Sequence, residues 1–303
     1  TAGWGDVTVI GSLLIGFGFI GGFLMWELHS SHPMLDVRVF QNRRFSSANI
    51  AITLVFFAMF GQAFLATQYL QTVLGFSALG SGLRMLPMAI AMALLAPVAP
   101  RLVERVGTKI VVGVGLLVVV AGLVIVSTVP VADGYPHLLV GFFLVAAGMA
   151  MTMAPATESI MGSLPRAKAG VGSAMNDTTR QMGGALGVAI LGSASASLYR
   201  PGLARHLGSV TLTPTQLAHA KDSLGGAIDV AKELPAAAAA HLTAVAKSEF
   251  VSGMRLALLV AVAVVTAAAI VVFMFLPARA ADVDDAAALD VEVEVAEEIG
   301  ALT

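Results

Sequence analysis

Asn176, Arg180, Gly183 and Gly187 follow one another at intervals of four, three and four, so a helix carries all four on one face. Arg180 brings a permanent cation, Asn176 an amide that donates and accepts, and the glycines a GxxxG pair that lets a second helix approach closely. Asp177, one turn before Arg180, is placed to pair with it. If the helix starts near Gly172, Arg180 lies about eight residues, or roughly 12 Å, inside it. An ionisable group that deep in an apolar helix faces protein or a watery cavity. The other reading starts the helix near residue 179 and leaves Arg180 at the lipid headgroups. Glu158, just after Pro155, fits either a proton site or the mouth of a bundle; the basic loop that begins soon after favours the mouth. Gln62 and Gln68 are amides in an apolar stretch and face either a central cavity or another helix. Gly18 and Gly22 form a second GxxxG, read as helix packing. Met85, Met88 and Met92 recur at helical spacing; packing is preferred there over a surface for varied lipophilic ligands.

Several chemistries are excluded or unsupported. The chain has no cysteine, so disulfides, thiolate metal sites and cysteine nucleophiles are out. His29 and His32 lie close together but lack a third ligand at suitable spacing, and there is no Walker loop. No metal, cofactor or enzymatic activity is expected. No basic stripe carries interleaved aromatics, so nucleic acid is not an expected partner.

The elements that must hold these residues are membrane spans. Of 303 residues, 57% are hydrophobic and 12% charged, about half the charge of a soluble domain, and mean hydropathy is +0.88. A span needs about 20 apolar residues. Stretches near 7–26, 47–72, 79–102, 110–132, 134–157, 181–199 and 256–278 qualify, giving seven helices. The sixth is expected to start early, near Gly172. Gly75, Gly80 and Gly82 break the long charge-free stretch between the second and third. Thr213-Pro214 signals a helix start, and Pro235 opens an Ala-rich stretch, so the loop 200–250 is expected to hold two short surface helices. Eight of the 19 acids lie from Asp282 onward with no base among them. That tail is expected to be disordered, with Val291, Val293 and Val295 able to pair with a partner. Nine of the 17 bases cluster near 38–44, 101–109, 166–168 and 279. By the positive-inside rule those ends are cytoplasmic, which places the N-terminus outside and the acidic tail inside.

Three segments resemble one family. These are Trp26-Glu27 with His32 to Phe45; Gln68 to Leu79, continuing through Gly82-Leu83-Arg84 and Leu86-Pro87; and Leu164 to Gly170 with Gly172 to Asn176 and Arg180 to Gly187. Together they resemble the fourteen-span drug:proton antiporters of the major facilitator superfamily, the EmrB/QacA branch. Pro100 to Lys109 resembles the superfamily's cytoplasmic-loop motif, with Pro100, Glu104 and Thr108 departing from its usual form. The resemblance implies a tight turn at Gly107, with Glu104, Arg105 and Lys109 forming ion pairs that bias an alternating-access cycle; a basic turn that only sets topology is the plainer reading. It also implies an all-α fold: an MFS-type C-terminal six-helix bundle plus one linker transmembrane helix. The divisions are 1–45 for the linker helix and loop, 46–279 for the bundle, and 280–303 for the tail. The first span resembles the family's eighth, so an N-terminal bundle of the same protein is an expected partner, beside the bilayer and a small drug-like substrate. The Thr1 start agrees with a fragment or a processed product. The implied activity is proton-coupled export from the bacterial cytoplasmic membrane, with Arg180, Asn176, Asp177, Gln62, Gln68 and Glu158 on the pathway. A non-transporting membrane scaffold is the alternative.

Overall fold

The structure is a computed structural model that describes residues 7–30, 37–165, 168–208 and 210–277. The acidic tail, Arg166, Arg279 and the His32–Asp36 part of the first family-like segment lie outside the described residues.

Ten α-helices are described: α1 (Val7–His29), α2 (Arg43–Gln68), α3 (Ala78–Leu95), α4 (Val98–Val106), α5 (Thr108–Ser127), α6 (Tyr135–Met161), α7 (Ala169–His206), α8 (Pro214–Asp222), α9 (Leu224–Ala231) and α10 (Ala236–Phe275). Seven are long and apolar enough to cross a membrane: α1, α2 with its extension to Val73, α3, α5, α6, α7 and α10. Each overlaps one of the seven stretches expected from sequence, with different ends.

Local chemistry sets the boundaries. Asn42 caps α2, its Oδ1 accepting from the backbone of Arg44 at 2.9 Å and Phe45 at 3.3 Å. The far end of α2 loosens into a π-helical turn over Tyr69–Val73. The chain then reverses at Gly75, whose φ of 77° suits a residue without Cβ. Gly80 and Gly82 do not break anything; they lie inside α3, which Ser77 caps. The stretch 79–102, expected as one helix, is two. Pro97 has no N–H to continue α3, so the chain turns and restarts as α4. Thr213 and Gln216 form a reciprocal capping box that starts α8 with Pro214 in its first turn.

The 200–250 stretch also differs from expectation. α7 runs on to His206, and the Ala-rich stretch after Pro235 is the first part of α10 rather than a separate surface helix. α7 has 38 residues and α10 has 40, or roughly 57 and 60 Å at 1.5 Å per residue, against about 30 Å of hydrocarbon. α8 and α9 pack beside these overhangs. Tyr199 Oη lies 2.9 Å from the Ala220 carbonyl and 3.2 Å from that of Ser223. His206 and Glu249 pair across α7 and α10 at 2.8 Å. Lys232 donates to Asp229 at 2.7 Å and holds that exposed carboxyl below its usual range.

The bundle core is apolar and shared by α2, α5, α6, α7 and α10. α5 lies against α6, α2 against α7, and α10 against both α5 and α7, while α3 packs on the side of α6. Glycines set the closest approaches. A Cβ at Gly115 would lie 2.9 Å from the Gly148 carbonyl, and one at Gly122 would lie 2.8 Å from that of Gly141. Both ends are tied. Arg44 donates to the Gly162 carbonyl at 2.9 Å at one end. At the other, Tyr69 donates to the Pro130 carbonyl at 2.6 Å, and Lys247 of α10 donates to the Val73 carbonyl at 2.7 Å, left over by the π turn. α1 stands apart, with none of its most apolar stretch buried.

Candidate functional site

The site grows from the seam between α2 and α7. Gly183 and Gly187 sit on the inner face of α7, and a Cβ at either would collide with the backbone of α2, at the Thr53 and Phe57 carbonyls. The GxxxG face therefore sets how near α7 lies to α2. The same face brings Asn176 and Arg180 toward α6 and α2. Arg180 donates from Nη2 to Thr157 Oγ1 at 3.1 Å, and Thr157 in turn donates to Asn176 Oδ1 at 3.4 Å. The guanidinium carbon lies 5.5 Å from the centroid of the Phe56 ring, within reach of a cation–π contact. The Nε of Arg180 is shut off from solvent with no hydrogen-bond partner among the described residues.

Helix α7 begins at Ala169, which removes the reading that starts it near residue 179. Arg180 is level with Phe56, roughly 20 Å along α2 from Arg43. Asp177 does not neutralise it. Asp177 is exposed, and among the described residues no ion pair joins the two. The geometry therefore leaves a cation in the seam beside an aromatic ring, an amide and a hydroxyl. Such a site can take an anionic or electron-rich group, or a carboxylate from a facing element.

The other candidates scatter. Glu158 is exposed, one residue beyond Thr157. Gln62 is 2% exposed and neither amide atom has a partner among the described residues, so no helix–helix hydrogen bond holds it there. Gln68 is half-buried and lines a cleft between α2, α7 and the α8–α9 turn. Gly107, at φ 85°, makes the expected tight turn between α4 and α5. The ion pairs expected around it do not form among the described residues: Glu104 and Arg105 are exposed and Lys109 is half-buried. Around Gly18 and Gly22 an added Cβ would meet nothing within 4 Å, so among the described residues they pack against no helix. Among the described residues no group of three or more His, Asp or Glu could hold a metal ion. Thr157 and Phe56 were not singled out in the sequence. Their role depends on two other helices, and neither type is unusual in an apolar span.

Seven span-capable apolar helices with a shared bundle core have the form of a polytopic membrane protein. Residues 2–188 match the Major Facilitator Superfamily, and the chain belongs to that family. It is 32% identical over 265 residues to the multidrug resistance protein Stp of Mycobacterium tuberculosis, covering 86% of this chain and 49% of that protein. The tetracenomycin C resistance and export protein of Streptomyces glaucescens is 32% identical over 263 residues, with 86% and 49% covered. The multidrug efflux pump LfrA of Mycolicibacterium smegmatis is 30% identical over 263 residues, with 86% and 52% covered. The chain thus spans about half the length of these relatives. A crystal structure of a bacterial homologue of the human lysosomal transporter Spinster, inward-facing and unoccupied, shares the fold. Its TM-score is 0.52 at 16% identity, covering 80% of this chain and 50% of that one.

Proposed function

We propose that the chain is the C-terminal half, with one preceding linker helix, of a proton-coupled multidrug exporter of the fourteen-span EmrB/QacA branch. It exports small lipophilic or cationic compounds by alternating access, working with an N-terminal bundle of the same protein. The observation that carries this reading is the alignment of 86% of the chain with about half of proteins named for drug resistance and export. The Arg180–Thr157–Asn176 cluster supports it, because a cation at that depth with no ion pair among the described residues suits a surface that meets a second body or a cargo. The basic segments at one set of helix ends support a cytoplasmic placement for those ends, with α8 and α9 outside. The membrane is then the bacterial cytoplasmic membrane.

The test is efflux by the full-length protein against a compound panel, with and without an imposed proton gradient. Export that collapses when the gradient is dissipated is the expected result. Export that is indifferent to the gradient, or no export of any compound, rejects the proposal.

A further inference from the structure

On the α7 side of the seam, beyond Gly187, the sequence turns to small residues, among them Ala189, Gly192, Ser193 and Ala196. The structure leaves a cleft of about 390 Å³ above them, within the usual range of ligand pockets. Phe64 of α2 supplies an exposed aromatic face, the buried Phe250 of α10 also lines the cleft, and Gln68 supplies an uncharged amide. The charged residues in the lining, Arg200 and Asp222, have opposite sign, so the cleft as a whole has no preference for a charged ligand. The hydroxyl of Tyr199, at the Ala220 and Ser223 carbonyls, holds the α8–α9 turn at its rim. The site is thereby shaped before any ligand arrives.

The cleft does not stand alone. Phe56, Phe60 and Phe64 recur every four residues on α2, so they form one aromatic row over roughly 12 Å. Phe56 and Phe60 stack with centroids 6.1 Å apart. A Cβ at Gly184 would lie 3.1 Å from the Phe60 ring, and one at Gly192 would lie 3.4 Å from the Phe64 ring. The row leads from the Arg180 cluster to the cleft, with glycines beneath two of its three rings.

We propose that this cleft is a binding site for a flat, uncharged aromatic molecule with hydrogen-bonding groups along one edge, reached past the exposed Phe60 and Phe64 rings. As a substrate class it rests on the exporter reading above; as a binding site it stands on the geometry. Stacking on the exposed Phe64 ring holds the ring system, and the Gln68 amide fixes its edge.

The absence of cysteine makes the site testable by labelling. Ser193→Cys places a thiol in the cleft, and Ala237→Cys places one on the exposed first turn of α10. Each variant of the full chain, confirmed monodisperse, is reconstituted in lipid nanodiscs and reacted with a maleimide, with 1,4-dihydroxyanthraquinone as the probe. Labelling at 193 is expected to slow about tenfold at ten times the probe's Kd, with no change at 237. Adding Ala196→Phe, which fills the cleft, is expected to abolish that protection. Equal rates with and without probe, equal slowing at both positions, or protection that survives Ala196→Phe overturns the proposal. So does labelling at 193 that lipid alone blocks and detergent restores, which assigns the cleft to acyl chains. The readout needs no transport, so protection without gradient-dependent efflux rejects the exporter reading and keeps the site. Efflux without protection does the reverse.

Discussion

Gln62 brings a two-donor, two-acceptor amide into the bundle core and finds no partner there among the described residues. A buried polar group without a hydrogen bond costs about 1–3 kcal/mol. Gln62→Met keeps the length and removes the polar atoms. It is expected to raise the midpoint of thermal unfolding in detergent, and a lower midpoint would mean that the amide has a partner in the assembled protein. Arg180 calls for the opposite experiment. In the full-length transporter, Arg180→Ala is expected to cut efflux at least about tenfold, a change of about 1.4 kcal/mol, with membrane abundance unchanged. Arg180→Lys is expected to restore only part of it, since a single ammonium cannot both hold Thr157 and lie flat against Phe56. Full activity of the alanine variant rejects a role on the pathway. At this scale the sequence showed the helix face carrying Asn176, Arg180, Gly183 and Gly187. It could not show Thr157 and Phe56, because they reach Arg180 only once α6 and α2 are packed.

Helices meet where a missing Cβ allows it. Gly187→Leu puts a side chain into the Phe57 carbonyl of α2. Overpacking of this kind costs about 1–3 kcal/mol, and against rigid backbone the upper end is expected, seen as a lower unfolding midpoint and aggregation on size exclusion. Gly18→Leu, on the unpacked α1, is expected to leave both unchanged in this chain. The same two-glycine pattern therefore has different consequences on α1 and α7, and sequence spacing alone does not distinguish them. The α4–α5 turn is a second case. Gly107 holds the turn, but Glu104 is exposed and forms no ion pair among the described residues. If Glu104 acts in gating, its partner comes from elsewhere in the full-length protein. Glu104→Ala then lowers transport several-fold with abundance unchanged; unaltered efflux leaves the segment as a basic turn.

At the scale of the whole molecule, the bundle is closed on some sides and bare on others. α2, α5 and α6 bury more than half of their most apolar stretches and α10 and α7 less, while α3 buries little of its own and α1 none. Lipid covers part of that surface. On the proposed reading, a second bundle covers the rest and forms the other wall of the substrate path. The chain expressed alone is then expected to give cells no drug resistance, measured as an unchanged growth-inhibitory concentration across the compound panel. Resistance conferred by the chain alone would show that one bundle suffices.

The sequence by itself determined the seven spans, the all-α class, the break at Gly75, the cap at Thr213 and the helix face of α7. Each depends on local composition, on helical spacing or on a single residue's backbone preference, and these are set before any helix meets another. Tertiary structure decided what touches what. It joined the Ala-rich stretch to α10, because α9 and α7 give its overhang something to pack on. It separated Asp177 from Arg180 by pointing one out and the other toward Thr157. It left Gln62 without a partner among the described residues and opened a cleft where small residues of α7 face Phe64. Contacts across the seam depend on helix approach and rotation to within an ångström or two, and one chain's spacing carries no information at that resolution.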